Sequence, residues 1–402
     1  MSNALVQTLA APAWRDGHSI AVPGFPDWAM RRYRGADDFA EWPAAGWGVD
    51  DFWLSPATLS FLSAHPQGER TEGIELRNRS SEQGVLLTVQ TFRFGLAANV
   101  GEEAGSLPSR WNIRRRLLSA CSAEVLCFGQ MLTSGDHGQA WRGDWSGTSI
   151  TDLLVAAAAV IGGGSRNYRA ILFKDLTAGE AKAEAELIKR HFHRLPADPV
   201  MRLDLRPFND LDDYLSRLSS KYRVRYRRAR GKLGDLERRR LSAQEVVDQS
   251  GRLHELYRET SRGADFNVVD LSEAYFRWLG TAGEVHAYFN SSNRLVGFTT
   301  AIVNGNRYHA HYLGLEESYK HSHHLYHNML YDLLRDALSV QSEWLDFGRT
   351  ALEIKSSLGA TTHRYDSWLR VRPAAVNALV PWFVPAVFEA KPWQARNPFR
   401  TE

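Results

Sequence analysis

The sequence predicts an α/β protein, of α+β type, in which two domains each contain a mixed central sheet flanked by helices. A chain of 402 residues is long for one compact domain, so two domains of roughly 200 residues are expected. Apolar patterns typical of strands and of helices alternate in both halves. Prolines at Pro196, Pro199 and Pro207 separate the two series, and we place the domains at residues 1–200 and 201–402.

The N-terminal half begins with residues 1–65, which are rich in Trp, Pro and Gly and in which we predict no regular element. The elements predicted after them are strands at Gly84–Phe94, Glu124–Phe128 and Tyr168–Phe173 and helices at Ile150–Val160 and Ala178–Phe192. Thr177 and Glu180 have capping-box spacing at the start of the second helix. Glycine-rich residues 129–138 include Asp136 and His137, and we interpret them as a turn.

The C-terminal half contains a second series of elements and ends in an amphipathic tail at Val380–Phe399. Three strands, a helix and a further strand can form one mixed sheet. The predicted helices are Asp212–Leu218, a basic segment, Val246–Thr260, Leu271–Leu279 and His324–Leu338, and the predicted strands are Val285–Phe289, Leu295–Val303, Tyr308–Leu313 and Trp344–Phe347.

Composition limits the class of protein. The formal net charge of +3 is too small to indicate nucleic-acid binding by itself, so an anionic partner would need local clusters of basic residues. Cys121 and Cys127 are the only cysteines, which favours a reducing, cytoplasmic location. The N-terminus lacks the pattern of a signal peptide. The apolar runs 150–164 and 375–390 are too short or too interrupted to span a bilayer.

The segment Lys221–Lys232 carries seven Lys or Arg residues and no acidic residue. At helical spacing its tyrosines share one stripe, so the helix could pack through them and present basic groups, including Arg223 and Arg227, on both flanks. Arginine binds phosphate and carboxylate through a bidentate fork. A nucleotide-bearing cofactor, an RNA or an anionic lipid surface would each suit this helix, and an ordinary solvated face is the alternative.

The strand Arg307–Leu313 is predicted to place His309 and His311 on one face and Tyr312 on the other. A neutral imidazole can take a proton from an amine or a hydroxyl near pH 7, so either histidine is a candidate general base, although both could be structural. The following segment Lys320–His327 adds four histidines, but it has no Cys or acid at ligand spacing, and we predict no metal site.

Residues 342–360 combine a short apolar strand, a turn at Gly348 and a charged helix start. Arg349, Thr350, Glu353 and Lys355 follow the end of this strand, where open sheets commonly place ligands. A solvated helix start with Glu353 near its positive end is the alternative interpretation.

The basic segment S-S-K-Y-R-V-R-Y-R-R-A-R, the following strand pair and the element F-G-R-T-A-L-E-I-K-S-S-L-G-A resemble the Fem-related, CelD-like branch of the GNAT acyltransferase superfamily. The resemblance covers about residues 205–370. It implies tandem GNAT-like domains, with an acyltransferase half at residues 201–402 and a degenerate copy at residues 1–200. The sequence departs from the family where a glycine-rich loop usually holds the donor pyrophosphate, because only Gly314 is present there. Lys320 and the amides before Leu325, or the basic helix, would take over this role.

The resemblance implies N-acyl transfer, in which an amine loses a proton to His311 or Glu353 and attacks a thioester. Arg349 and Lys355 would orient an acidic or phosphate group, and the amides of Gly348–Thr350 could stabilise developing negative charge. We expect acyl-CoA as co-substrate, no tightly bound cofactor, and an amine acceptor. The surplus of aromatic residues and the tail favour a long-chain amino lipid, as in bacterial ceramide-type synthesis, with peripheral contact to the inner membrane.

Two other functions remain open. Aminoacyl-tRNA could be the donor, as in the peptidoglycan-bridge ligases, with the basic helix on the RNA backbone. Alternatively, the protein could be a non-catalytic module that holds an anionic ligand. For an enzyme of either kind, we expect Arg349, Glu353 and Lys355 to share a cleft with His309 or His311 and the basic helix.

Overall fold

The computed structural model describes residues 19–95, 122–145, 149–162, 168–176, 180–261, 269–382 and 392–400. They form two mixed sheets flanked by helices, which confirms the predicted fold class. Cys121, Thr177 and part of the C-terminal tail lie outside the described residues.

The first sheet has the strand order β1-β2-β3-β4-β5-β7-β16-β8, with β6 paired to β4. Neighbouring strands are antiparallel except β5 and β7, which are parallel. Two of its strands lie within residues 1–65, where we predicted no element. The strands are β1 (Ile20–Val22), β2 (Phe25–Tyr33), β3 (Glu69–Asn78), β4 (Gly84–Gly95), β5 (Ser122–Phe128), β6 (Gln139–Arg142), β7 (Ala170–Lys174), β8 (His193–Leu195) and β16 (Ser367–Val371).

The second sheet has the order β10-β11-β12-β13-β14-β9-β15, and only β13 and β14 are parallel. Its inner strand β12 is buried on both faces because helices cover both sides. The strands are β9 (Val200–Asp204), β10 (Glu237–Arg240), β11 (Glu284–Phe289), β12 (Leu295–Asn304), β13 (Arg307–Leu315), β14 (Trp344–Asp346) and β15 (Thr361–His363).

The helices follow the predicted positions closely where their apolar spacing is regular. Asp210 caps α5 and Ser272 caps α8 through hydrogen bonds from backbone amides in the first turn. The helices are α1 (Ala36–Phe39), α2 (Pro56–Ala64), α3 (Ile150–Gly162), α4 (Glu180–Lys189), α5 (Leu211–Arg217), α6 (Ser220–Leu233), α7 (Ala243–Ser261), α8 (Glu273–Ala282), α9 (Glu317–Ser322), α10 (Leu325–Ser339), α11 (Leu352–Ser356) and α12 (Ala374–Asn377).

One strand of the second half, β16, belongs to the first sheet. The chain leaves the first sheet after β8 and enters the second at β9, and it returns to the first sheet between β15 and β16. Strand β16 lies between β7 and β8. A strand from beyond residue 201 therefore completes the first sheet, and the division at residue 200 stays a prediction.

The hydrophobic core is also shared between the two halves. One cluster packs α3 against the first sheet, and another packs α5, α6 and α10 against the second. A third cluster lies between the second sheet and helices α7 and α8, and it includes Trp53, Leu62 and Leu132 from the N-terminal half. Burial of these side chains between the two halves stabilises the contact between them.

Candidate active site

The second sheet splits open between its parallel strands. Strands β13 and β14 are paired only at Arg307↔Trp344, Tyr308↔Leu345 and His309↔Asp346. Strand β14 then ends, whereas β13 continues to Leu315. Residues 310–313 are partly exposed on both faces of the strand. Beyond His309, the edge of β13 that faced β14 therefore has no strand partner among the described residues, and we call this place the gap.

A β-bulge lies in the part of β13 that borders this gap. Thr299 is opposite Leu313 and Ala301 is opposite Ala310, so two residues of β13 face Thr300 alone. The Thr300 hydroxyl accepts a hydrogen bond from the Tyr312 amide at 2.9 Å. Bulges interrupt strand alternation and are frequent next to active sites.

His311 is one of the two bulged residues. Its Nε2 is 2.7 Å from the Tyr275 hydroxyl, and its ring lies 5.4 Å from the Trp53 ring. Tyr312 packs against Tyr275 as well, and its hydroxyl donates to the Leu132 carbonyl. Burial, and secondarily the charge of His309, lowers the pKa of His311 to about 3. At pH 7 this side chain is neutral and lies at the edge of the gap.

His309, by contrast, is buried in a polar junction between the two halves. Its ring packs edge-on against His137 at 4.5 Å, and burial lowers its pKa to about 4. Asp346 beside it accepts a hydrogen bond from Arg202 at 2.8 Å. The structure places His309 among structural groups, with 4% of its surface exposed.

Asp136 is the centre of this junction. It accepts hydrogen bonds from Arg202 at 3.1 Å, from Arg307 at 2.7 Å and from the Tyr365 hydroxyl at 2.9 Å. Sequence reasoning interpreted residues 129–138 as a turn and missed these contacts. A lone Arg202 within the apolar strand β9 is the signal that could have indicated a buried partner.

His137, His309 and Asp346 could also be considered as metal ligands, since their ligand atoms lie within 4.8 Å of one another. The oxygens of Asp346 already accept hydrogen bonds from Arg202 and from the Gly348 amide. The positive charge of Arg202 next to this carboxylate disfavours a divalent cation. These three residues therefore do not fit a metal site.

The turn after β14 is held by Arg349 and Lys355. Arg349 donates to Asp175 of the first half at 2.8 Å. Lys355 is 4% exposed, and its Nζ donates to the Arg349 carbonyl at 2.5 Å. Burial lowers the pKa of Lys355 to about 7. Gly348 and Thr350 have positive φ angles of 67° and 69°, and Thr350 is exposed.

A basic cavity of about 200 Å³ lies beside helix α6. Glu353 is exposed there, and its carboxylate accepts a hydrogen bond from the Gln394 amide at 3.0 Å, which lowers its pKa. Three basic side chains give the cavity a net positive charge and suit it to an anion. Its lining residues are Lys221, Tyr222, Arg225, His327, Glu353, Ile354 and Arg396.

Positive charge extends from this cavity to the N-terminus of α10. The ring of His324 lies 5.6 Å from that of His327. Burial and the nearby charges of Lys232 and Arg228 lower the pKa of His324. The N-terminal end of a 15-residue helix carries partial positive charge and attracts phosphate.

The remaining predicted binding residues lie outside the cavity. Arg223 donates to the Leu218 carbonyl at 2.9 Å, beyond the end of α5, which is a structural contact. Arg227 is exposed on α6. Lys320 is exposed on α9 and pairs with Glu317 at 3.1 Å. The structure brings Glu353 close to the basic helix α6. It places His309 in the buried junction, and Arg349 and Lys355 in the turn after β14.

The second half therefore contains two features, the parallel strands that separate beyond His309 and a basic cavity that suits an anion. Residues 220–356 match the family model described as the acetyltransferase (GNAT) domain. This segment is about a third of the chain, and over it the chain is similar to that domain. No curated protein matches the chain.

Several solved structures are similar to the chain at low sequence identity. FemX is 11% identical, with a TM-score of 0.48 over 78% of this chain and 90% of that chain. The C-terminal domain of a putative lysylphosphatidylglycerol synthetase from Agrobacterium fabrum is 9% identical, with a TM-score of 0.48 over 86% and 95%. A probable N-acyltransferase from Enterococcus faecalis V583 is 10% identical, with a TM-score of 0.42 over 86% and 72%. None of these similarities assigns a substrate to the present chain.

Proposed function

We propose that the protein is an N-acyltransferase that moves an acyl group from acyl-CoA to an amine. The observation that carries this proposal is the gap between β13 and β14, which lies in the same half as the basic cavity. The GNAT family match supports acyl transfer in general, and the choice of CoA as donor is our proposal.

The donor would bind in two parts. Its phosphates would contact Lys221, Arg225 and the N-terminus of α10, where several basic groups converge. Its extended thioester arm would enter the gap and form hydrogen bonds with β13, since a free strand edge can pair with an extended ligand. The thioester carbonyl would then lie near the bulge at His311 and Tyr312.

The reaction itself needs no covalent enzyme intermediate. The neutral amine attacks the thioester carbon, a C–N bond forms, the C–S bond breaks, and the CoA thiolate takes up the proton that the nitrogen loses. Neutral His311 can relay this proton or orient the amine, because its low pKa keeps it uncharged at pH 7. Holding both substrates in the gap supplies much of the rate enhancement.

For the acceptor we propose a long-chain amino lipid, as in ceramide-type lipid synthesis, reached from the inner membrane surface. Exposed apolar residues support this choice, among them Trp382, of which 80% of the surface is exposed. Within the described ranges, the helices are too short or too polar to cross a bilayer. Contact with lipid would then be peripheral.

The test is an assay of CoA release with acyl-CoA donors of several chain lengths and candidate amines. The expected result is thiol release together with an N-acyl product of matching mass. The variant Lys221→Gln/Arg225→Gln should have a higher KM for the donor. The variant Arg70→Gln, on the first sheet, should have the KM of the wild type. Absence of CoA release with every pair of substrates would overturn the proposal.

Aminoacyl-tRNA is the second candidate donor, favoured by the exposed positive charge of α6 beyond the cavity, at Arg227, Arg228 and Lys232. A single pyrophosphate does not need so many basic groups, whereas an RNA backbone does. Binding of tRNA that weakens steeply with salt, together with aminoacyl transfer in place of CoA release, would support this alternative. A protein inactive in both assays that still binds phosphate-bearing ligands would be a binding module.

A further inference from the structure

An exposed apolar face lies on the segment that follows strand β16. The amides of Val376, Leu379 and Trp382 donate to the carbonyls of Pro373, Val376 and Leu379, each three residues earlier. The segment begins with the α-helix Ala374–Asn377, and side chains three apart are neighbours on one side of a helix. The three side chains therefore share one face, with 47%, 50% and 80% of their surfaces exposed.

The opposite face of this segment is anchored to the first sheet. Asn377 is buried, and its side-chain amide donates to the His191 carbonyl at 2.8 Å. Its side-chain oxygen accepts a hydrogen bond from the Val371 amide, also at 2.8 Å. Val380 is 8% exposed. The protein thus holds these apolar side chains outward on a fixed support, and the adjoining end of α4 adds Ile188 at 58% exposure.

Basic residues border the apolar face. An open groove of about 490 Å³ is lined by Arg169 and Arg372 together with Tyr168, Pro373 and Ala374. Arg169 and Arg372 are exposed and lie on adjacent strand ends, since the Arg372 amide donates to the Arg169 carbonyl. Burial, and secondarily the like charges of Arg372 and Arg190, lowers the pKa of Arg370. The apolar segment therefore begins next to two exposed arginines, and Asp152, which pairs with Arg190, is an acidic group near Arg370.

We infer that this face docks on an anionic phospholipid bilayer, with Trp382, Leu379 and Val376 in the headgroup region and Arg169 and Arg372 on lipid phosphates. Tryptophan and arginine around aliphatic side chains are typical of interfacial membrane contacts. A nucleic acid would satisfy the arginines but would leave the aliphatic side chains in water. The inference goes beyond acyl transfer, and it needs no acyl donor for its test.

The experiment is co-sedimentation of the full chain with vesicles of phosphatidylcholine alone or of equimolar phosphatidylcholine and phosphatidylglycerol. Wild type should bind the anionic vesicles and release them as salt is raised. The variant Leu379→Ser/Trp382→Ser should bind at least about tenfold more weakly, because two membrane-inserted side chains are lost. The variant Arg169→Gln/Arg372→Gln should lose the preference for anionic vesicles.

The controls are matched to these changes. Val340→Ser removes an apolar side chain of similar exposure at the end of α10, and Arg70→Gln removes an exposed charge of the first sheet, so both should bind as wild type. Circular dichroism verifies that each variant is folded. Equal binding by wild type and Leu379→Ser/Trp382→Ser would overturn the inference. Failure of the wild type to bind anionic vesicles would also overturn it and would favour a protein partner for this face. A variant that loses vesicle binding but keeps activity on short soluble substrates separates this inference from the proposed function.

Discussion

The two sheets have similar patterns of strand pairing but differ in two respects. Five antiparallel strands in the first sheet and four in the second are followed by one parallel step and then two more antiparallel neighbours. In the first sheet the parallel strands β5 and β7 remain paired to Phe128↔Phe173, where β5 ends. In the second sheet β13 continues for residues 310–315 after its pairing with β14 has ended.

Under the proposed function, the donor arm would enter where parallel strands separate, and among the described strands that place is in the second sheet. The first sheet contributes support, because its loop supplies Asp136 to the junction and its Asp175 holds Arg349. The repeat of the strand order agrees with the tandem architecture that the sequence resemblance implied.

The largest expected effect comes from breaking the junction between the sheets. Arg202→Met leaves the buried carboxylate of Asp346 without its charged partner and removes one of the bonds to Asp136, and the loss of a buried partner costs about 3–5 kcal/mol. We expect urea to unfold both halves in one transition. The free energy of unfolding should be lower in the variant by this amount. Arg70→Met, whose partner Glu124 is partly exposed, should change the free energy of unfolding by less than about 1 kcal/mol. Two separate transitions would show that the sheets are independent.

The next effect concerns the gap in the second sheet. His311→Ala should lower kcat by about 100-fold, since a group that positions or relays a proton typically contributes at least that much. His321→Ala, on the exposed surface of α9, is the control and should keep full activity. The measurement is the rate of CoA release at saturating donor. Activity of His311→Ala within about twofold of wild type would remove this residue from the mechanism.

Acid should weaken the second sheet through its buried histidines. The pKa of His311 and of His286 is about 3, against an ordinary value of 6.5. The unfolded chain therefore binds more protons as pH falls below 6.5, and stability is lost, by about 2 kcal/mol per histidine between pH 7 and pH 5. Urea unfolding at both pH values measures this loss. The free energy of unfolding of His311→Asn should depend less on pH than that of the wild type. An unchanged pH dependence would show that His311 does not contribute to the loss.

The smallest effect is expected at the basic cavity. Lys221→Gln/Arg225→Gln should raise the KM for the donor about tenfold with little change in kcat, because charged hydrogen bonds to the donor are lost away from the reacting atoms. The difference from wild type should shrink at high salt. A fall in kcat with unchanged KM would place these residues at the chemistry instead.

The sequence predicted the elements whose apolar spacing is regular, such as β13, α6 and α10, because that information is local. It could not predict that β9 lies between β14 and β15 or that β16 joins the first sheet, since strand partners distant along the chain leave no local pattern. Charges at the start of a helix are usually solvated, so the burial of Lys355 was not foreseeable. Simple alternation placed His309 and His311 together, whereas the bulge at Thr300 changes the surroundings of His311.

Strand β16 also affects how the protein is made. On a ribosome, β7 and β8 emerge long before Ser367–Val371, the strand that pairs with both of them. Until then their inner edges are free to pair with other nascent chains, which is a recognised route to aggregation. Premature termination of translation between Leu195 and Ser367 would therefore leave the first sheet incomplete, although every other strand of that sheet had already been synthesised.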